Sequence, residues 1–231
     1  MNAKKIIIFD SSTIINLTMN GLLDILKELK KKFNGKFIVT HQVKYEIVDR
    51  PIQIDKFELG ALKIKKLIDD KILELPEAIK ISKEELDEKT REILKEVNHM
   101  FLTRNEFMHL IDDGEASCLA LSVILNNQEI KNIIVIDERT TRIIVEKPEN
   151  LHKLLEQKFN TKIDFIQKNL PFLSKIKIIR SPELMYVAWR KGLIDIKNSK
   201  LLEALLYATK FNGASISREE IDEIKRCNYS C

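Results

Sequence analysis

The chain has 231 residues, of which 44% are hydrophobic, so it is long enough to bury a large core and does not have a disordered composition. Its 39 Lys and Arg against 35 Asp and Glu give a net charge of only +4, which by itself does not indicate a nucleic-acid partner. Its three cysteines form no even-numbered disulfide framework and no apolar run is long enough to span a membrane, so we expect a cytoplasmic protein without a membrane partner.

The first predicted element is a buried strand over residues 6–9, an unbroken apolar run that stops at Asp10. Consecutive apolar residues without alternation are typical of a central parallel strand that is covered on both faces. In open α/β sheets, ligands bind at the carboxyl ends of the strands. We therefore expect Asp10 and the hydroxyls of Ser11, Ser12 and Thr13 to lie at a ligand-binding edge.

The next hundred or so residues alternate between helical and strand-like hydrophobic patterns. Ser82, with Glu85 three residues later, has the pattern of a capping box at the start of a helix. In chain order, the predicted elements are a helix that ends in Lys30, Lys31 and Lys32, a strand over 37–40, a short helix that carries Glu46 and stops before Pro51, a charged helix over 54–69, a short strand over 72–75, and a helix from Ser82 to about Leu102.

The second half of the chain repeats the opening pattern, because an apolar strand over residues 133–136 stops at Asp137. Two such strands predict a parallel sheet whose strand ends bring Asp10 and Asp137 to one edge. Before this strand, Asp112 and Glu115 are spaced as a capping box that opens another helix. The remaining predicted elements are a helix over 138–145, an insertion with a helical pattern over 149–175, a strand over 176–179, a helix from Ser181 that stops at Gly192, and two further helices, the last capped by Ser217 with Glu220.

Four acids therefore stand at strand ends or in the first turns of helices: Asp10, Glu46, Glu115 and Asp137. Carboxylates that are packed together raise each other's pKa and lose hydration, so they need a compensating cation. Ligands that are all oxygen atoms select hard ions such as Mg²⁺ or Mn²⁺. The sequence thus predicts a metal site, with Ser11, Ser12 and Thr13 orienting its ligands or waters.

The order of these motifs resembles the PIN domain family of metal-dependent ribonucleases. The resemblance rests on Asp10-Ser-Ser-Thr-Ile-Ile, on Glu46 in Val-Lys-Tyr-Glu-Ile-Val, on Asp113-Gly-Glu115-Ala-Ser-Cys-Leu-Ala and on Asp137-Glu-Arg-Thr-Thr-Arg142. The segment from Arg180 to the Lys191-Gly-Leu-Ile run and the Ser217 helix are also similar to a prokaryotic branch of this family. The likeness covers about three quarters of the chain.

The resemblance implies an α/β fold with three layers, α/β/α, around a central and mostly parallel sheet. We expect one domain over residues 1–231, with a helical insertion around 149–175 and a C-terminal helical extension around 197–231. It also implies a Mg²⁺ or Mn²⁺ site and cleavage of single-stranded RNA. An antitoxin-type protein partner and a homodimer are compatible with it.

The resemblance assigns metal binding and catalysis to Asp10, Glu46, Glu115 and Asp137. Asp113 competes with Glu115 as the third ligand, and a plain capping role for Glu115 is equally compatible with its position. The cations Arg139, Arg142, Lys30, Lys31 and Lys32 are candidate contacts to RNA phosphates, although the two arginines also suit structural ion pairs.

Two departures from the family pattern keep other interpretations open. Val135 stands where family members commonly carry Thr or Ser, and the segment between Glu46 and Glu115 is long for the family. One alternative is a degenerate PIN fold that binds RNA or a protein partner without catalysis. A haloacid-dehalogenase-like phosphatase ranks lower, because its pattern needs an acid at the position of Ser12. The four histidines lack the spacing of zinc ligands, and Cys227 and Cys231 are expected to belong to a frayed terminus.

Overall fold

The computed structural model describes residues 5–167 and 170–226. Its strands are β1 (Lys5–Phe9), β2 (Gly35–Ile38), β3 (Phe101–Thr103), β4 (Glu106–Phe107), β5 (Asn132–Val135), β6 (Asp164–Phe165) and β7 (Ile178–Ile179). The main sheet is parallel, with the strand order β2-β1-β5-β7, and a small antiparallel sheet has the order β4-β3-β6. The predicted α/β class with a mostly parallel sheet is confirmed.

Helices surround the main sheet in a three-layer α/β/α arrangement. They are α1 (Ser11–Met19), α2 (Asp24–Lys32), α3 (His41–Lys44), α4 (Asp55–Asp69), α5 (Lys83–Asn98), α6 (Asp113–Asn127), α7 (Arg139–Glu146), α8 (Pro148–Phe159), α9 (Ser181–Arg190), α10 (Leu201–Phe211) and α11 (Arg218–Arg226). A π-helical turn over Tyr45–Asp49 continues α3, and short 3₁₀ turns cover Pro51–Gln53, Pro76–Ile79 and Leu173–Lys175.

Strand β1 lies in the middle of the sheet, as its apolar run predicts. Ile8 and Phe9 are fully buried, and β1 pairs in parallel with β2 on one side and with β5 on the other. Phe9 is in register with Val135, so the chain leaves both strands at the same edge. This register places Asp10 and Asp137 beside each other at the carboxyl ends of neighbouring strands.

Several predicted helix ends are confirmed by their hydrogen bonds. Ser217 and Glu220 form a capping box for α11, in which the Ser217 N–H donates to Glu220 and the Glu220 N–H donates to the Ser217 hydroxyl. Pro182 occupies the first turn of α9, where its missing N–H costs no helical hydrogen bond. Gly192 follows this helix with a φ of +64°, the left-handed conformation that favours glycine.

The helix that was predicted to reach Leu102 ends at Asn98 instead. Strands β3 and β4 form a hairpin there, because Arg104 and Asn105 have φ values of 50° and 64° and turn the chain back. The apolar residues Phe101 and Leu102 continue the helical spacing by coincidence, and they belong to the hairpin. Leu102 also pairs with Asp164 of β6.

Two further elements differ from their predictions. Residues 72–75 form no strand, since within them only Glu74 makes an isolated parallel bridge, to Ile38 at the end of β2. In the 149–175 segment, α8 ends at Phe159, Asp164–Phe165 joins the small sheet, and Leu173–Lys175 forms a 3₁₀ turn. The insertion therefore packs as a mixed helix and strand segment around the hairpin.

One large hydrophobic cluster surrounds the main sheet, and a small separate cluster lies between the C-terminal helices. The small cluster consists of Leu202, Leu206, Ile216 and Ile221. The predicted extra C-terminal helices are present as α10 and α11, whereas the division of the chain into one domain, an insertion and an extension stays a prediction. None of the helices in the described ranges is both long and apolar enough to traverse a bilayer. Cys227 and Cys231 lie outside the described residues.

Candidate functional site at the carboxyl edge of the sheet

Asp10 is the most buried acid of this edge, with 1% of its surface exposed. It caps the N-terminus of α1, and its Oδ2 accepts hydrogen bonds from the Ser12 N–H at 3.0 Å and from the Ser12 hydroxyl at 2.5 Å. Its other oxygen, Oδ1, is buried and has no hydrogen-bond partner among the described residues. Burial raises the pKa of Asp10 from its ordinary value of 3.8 to about 6, and the charge of Glu46 adds to this rise.

Glu46 reaches the same edge from the π-helical turn that follows α3. Its carboxylate lies against Gly114 so closely that a Cβ on that glycine would be 2.6 Å from Oε1. Gly114 is thus needed for the start of α6 to approach Glu46. Burial raises the pKa of Glu46, hydrogen bonds from Ser11 and Gln42 oppose this rise, and the charges of Glu115 and Asp112 add to it.

Glu115 is the third acid of the group. Burial, followed by the charge of Asp10, raises its pKa from 4.5 to about 7. Its Oε2 also accepts a hydrogen bond from the Asp112 N–H at 2.8 Å, so the predicted cap of α6 is present. Asp113, its competitor in the sequence, is exposed. The structure therefore brings Glu115 towards Asp10, and Asp113 faces solvent.

Asp137 differs from these three acids because protein donors occupy both of its oxygens. Oδ2 accepts a hydrogen bond from the Asn16 amide at 2.9 Å, and Oδ1 accepts one from the Ser181 N–H at 2.8 Å. Burial raises the pKa of Asp137, and the bonds from Ser181 and Asn16 oppose this rise. Its own N–H donates to the Ser12 hydroxyl at 3.0 Å, so Ser12 links Asp137 to Asp10.

The three predicted supporting hydroxyls have different surroundings. Ser12 bridges two acids, as described above, and Ser11 lies beside Glu46. Thr13 is fully buried, and its hydroxyl has no hydrogen-bond partner in the described part of the chain. Ser12 is thus the hydroxyl with the clearest organising role.

Sequence reasoning missed Asn16, which is fully buried and connects four elements. Its amide nitrogen lies 2.9 Å from Asp137 Oδ2, 2.8 Å from the Thr209 carbonyl and 3.3 Å from the Ser181 hydroxyl. Its oxygen accepts a bond from Asn20 at 2.8 Å. The available signal was an asparagine inside the apolar run that starts α1, since a buried polar residue needs partners. Glu138 was missed too, and its charge contributes to the raised pKa of Glu115.

The three lysines that were predicted to contact RNA lie far from the acids. Lys30 donates to the carbonyl of Gly35, where β2 begins, and it pairs with Glu74 at 3.2 Å. Lys31 pairs with Glu28 at 2.6 Å, and Lys32 ends the same helix, α2. The acids follow the opposite ends of these strands, about 16 Å away along a five-residue strand. Lys30, Lys31 and Lys32 therefore lie at the opposite edge of the sheet from the acids, and their contact with RNA stays a prediction.

The two predicted arginines lie on α7, next to the acid edge. Arg139 is exposed at the start of this helix. Arg142 is mostly buried and lies 3.7 Å from Glu220 of α11, to which Arg180 also pairs at 2.9 Å. Arg142 therefore helps to hold the C-terminal helix, which agrees with the structural alternative, whereas Arg139 remains accessible.

The residues 5–167 and 170–226 contain no group of three or more His, Cys, Asp or Glu side chains that could hold a metal ion in their present positions. Asp10, Glu46 and Glu115 nevertheless form one electrostatic group, since the charge of each raises the pKa of another member. Comparisons with protein-family models, with curated proteins and with solved structures find no match for this chain.

Proposed function

We propose that the protein is a metal-dependent ribonuclease of the PIN type, which hydrolyses single-stranded RNA at the carboxyl edge of its sheet. The observation that carries the proposal is the buried, unpartnered Oδ1 of Asp10 beside Glu46 and Glu115. A buried carboxylate oxygen without a donor is unfavourable and calls for a proton or a cation. Carboxyl groups whose pKa is raised by burial and by neighbouring charges are common at functional sites.

The chemistry of the acids fits Mg²⁺ or Mn²⁺. All three groups are oxygen donors, and these ions accept a few carboxylates while they keep bound waters. Gly114 leaves the space that the Glu46 carboxylate occupies, which a larger residue would fill. Asp10, Glu46 and Glu115 would hold the ion. Asp137 would support the site through Ser12, which bonds to both aspartates.

The protein's own residues then have separable tasks. Ser12 fixes the orientation of Asp10, and Asn16 with the Ser181 N–H fixes that of Asp137. Arg139 is exposed at the start of α7, and under this proposal it would contact a phosphate of the substrate. When bound, a divalent ion supplies Lewis acidity and lowers the pKa of a coordinated water. Cys118 is a free, buried thiol, in keeping with the cytoplasmic location that we propose.

The first test is metal binding to the purified protein by calorimetry and thermal melting. At a Mn²⁺ concentration about 100 times Kd, binding to the folded state alone stabilises it by about 2.7 kcal/mol. For a chain of this length, that corresponds to a rise in Tm of about 5–10 °C. Asp10→Asn should remove most of the rise. Asp113→Asn is the matched control, because this exposed acid adjoins the same helix start, and it should leave the rise unchanged.

The second test is cleavage of labelled single-stranded RNA on a gel, in Mn²⁺ and in chelator. Cleavage should require the metal. Asp10→Asn should lower its rate by more than the roughly 10–100-fold that is typical of residues that only support a ligand. Cleavage that persists in chelator, or an Asp10→Asn protein that cuts as fast as wild type, would contradict the proposal.

The second candidate function is a non-catalytic module that binds RNA or a protein partner. The observation in its favour is Asp137, whose oxygens are both engaged by internal donors, together with the absence of a ready-made metal group in the described ranges. RNA binding without cleavage in any divalent metal would select this candidate. An antitoxin-type partner and a homodimer stay predictions under both candidates.

A further inference from the structure

A groove of about 620 Å³ opens beside Glu46, between α1, the turns that follow α3, and α4. Its wall is mostly apolar. Several large hydrophobic side chains of this wall are exposed, although such residues are usually buried. They are Ile15, Met19, Ile54, Phe57 and Leu59. A concave and mostly apolar surface with a few polar groups at its rim is typical of a ligand-binding groove.

The groove is built into the packing of two helices. Gly60 of α4 faces Thr18 of α1, and a Cβ on Gly60 would lie 3.1 Å from the Thr18 methyl group. The glycine therefore lets the two helices approach closely at the floor of the groove. Glu46 lines the same groove, so the floor runs up to the acid edge.

Three cations line the groove, and none of them has an acid within ion-pair distance among the described residues: Arg50, Lys56 and Lys63. Their neighbours on α4 behave differently, because Lys65 pairs with Asp69 and Lys66 with Asp70. Lys56 and Lys63 are seven residues apart, so they lie on one face of α4, about 10 Å apart along its axis. Unpaired cations along one face attract a chain of negative charges.

We infer that this groove holds the nucleotides of single-stranded RNA that adjoin the cleaved phosphodiester, an inference that rests on the proposed nuclease function. The cations would contact phosphates, and the apolar wall, with the half-exposed ring of Phe57, would contact base faces. Lys56 already lies 5.2 Å from the centre of that ring. RNA is favoured over a peptide because Glu46 lines the groove, so a strand that meets the acids continues along it.

The test is RNA binding in chelator, where cleavage does not interfere. A short oligouridine with a fluorescein label is titrated with wild type, with Lys56→Ala/Lys63→Ala and with Phe57→Ala, and anisotropy is recorded at several salt concentrations. The double variant should raise Kd about tenfold and reduce the slope of log K against log salt by about 1.4, since each phosphate contact on a single strand contributes about 0.7. Phe57→Ala should raise Kd at least about fivefold.

The matched control is Lys65→Ala/Lys66→Ala, which removes the same charge from the same helix at paired positions. It should bind RNA like wild type. Equal Kd values for wild type and both groove variants would overturn the inference. The inference would also be overturned if the wild-type protein does not bind RNA but binds a labelled amphipathic helix of Leu and Glu, because the groove would then hold a protein segment.

The two proposals fail in different ways. Groove-dependent RNA binding without cleavage in Mn²⁺ would leave the inference standing and refute the nuclease function. Metal-dependent cleavage that is unaffected by Lys56→Ala/Lys63→Ala would leave the nuclease function standing and refute the role of the groove. In the expected case, the double variant cleaves more slowly at low RNA concentration and approaches the wild-type rate at saturation, since it loses binding and keeps the acids.

Discussion

Asp10 and Asp137 arise from the same sequence pattern and have different surroundings. Each follows a buried strand, the two strands are neighbours, and both carboxyl groups are at least 98% buried. Yet Asp10 keeps one oxygen without a partner, whereas Asn16 and Ser181 donate to both oxygens of Asp137. The difference comes from α9, whose first N–H reaches only Asp137, and from the direction of the Asn16 amide.

This difference separates a carboxylate that is satisfied by the fold from one that is not. A buried anion with internal donors contributes to structure, because those donors would otherwise be unpaired. A buried anion with a vacant lone-pair site is costly at neutral pH and gains from an external cation or proton. The same residue type at equivalent strand ends therefore supports two different roles.

The largest expected effect comes from making the same substitution at both positions. Asp137→Asn replaces one acceptor with an NH₂ group, which must face a donor from Asn16 or Ser181. A buried donor that loses its partner costs about 1–3 kcal/mol. Asp10→Asn instead removes a buried charge. The oxygen of the new asparagine can still accept a hydrogen bond from Ser12, and no donor faces the position of Oδ1, where its NH₂ group would lie.

We therefore expect opposite signs from urea unfolding at about pH 7.5 in chelator. Asp137→Asn should lower the free energy of unfolding by about 2 kcal/mol, and Asp10→Asn should raise it. If both variants shift the free energy of unfolding in the same direction, the two aspartates do not have the different roles that their hydrogen bonds indicate. Asp113→Asn, at an exposed acid, serves as the control and should change stability by less than about 0.5 kcal/mol.

The strands and the acids at their ends could be predicted from sequence because the signal is local. An apolar run that stops at a carboxylate identifies β1 with Asp10 and β5 with Asp137, and a parallel sheet brings such ends together. Helix caps such as Ser217 with Glu220 are equally local, since both partners lie within four residues. The structure contains both strands and this capping box, although β5 ends at Val135, one residue earlier than predicted.

The organisation around the acids could not be predicted, because its partners are far apart in sequence. Asn16 lies 121 residues from Asp137 and 193 residues from Thr209 along the chain. No local sequence pattern predicts contacts between residues so far apart. The position of Lys30, Lys31 and Lys32 could not be predicted for a related reason: a charged helix end gives no information about which edge of the sheet it will occupy. The unpaired cations of the groove, Lys56 and Lys63, look like their paired neighbours in sequence.

The pH dependence of stability sharpens the comparison further. The pKa of Asp10 is 3.8 ordinarily and about 6 in the folded protein, so the folded state binds the proton more tightly. Its contribution to stability is therefore fully present below about pH 4 and is lost as pH rises through about 6. The full difference corresponds to at most about 3 kcal/mol. Glu115, with a pKa raised to about 7, acts in the same direction.

Other groups oppose this trend, since the pKa values of Glu74 and Glu220 are lowered and their contributions are lost as pH falls. The measurement is thus the difference in unfolding free energy between wild type and Asp10→Asn from about pH 4 to pH 8 in chelator. Wild type should lose stability relative to the variant across this range, and saturating Mn²⁺ should reduce the loss. A difference in unfolding free energy that does not change with pH would show that folding does not raise the pKa of Asp10.

Among the substitutions at the site itself, Gly114→Ala has the smallest expected effect on stability, and it acts on the surroundings of Asp10 and not on those of Asp137. The new methyl group would lie 2.6 Å from Glu46 Oε1, so the Glu46 carboxylate must swing away from the start of α6. Alanine favours a helix over glycine by up to about 1 kcal/mol, which offsets the cost of this movement. Net stability in chelator should therefore change by less than about 1 kcal/mol.

The response to metal should change much more, because Glu46 would no longer lie beside Asp10. The Mn²⁺-induced rise in Tm should fall by at least half in Gly114→Ala, while the pH difference curve of Asp10 shifts little, since burial dominates its pKa. Gly60→Ala is the matched control: it gives the same helical gain in α4, its Cβ would meet only the Thr18 methyl, and it should keep the full response. An undiminished Mn²⁺ response in Gly114→Ala would mean that Glu46 takes no part in holding the ion, and the site would then reduce to Asp10 and Glu115.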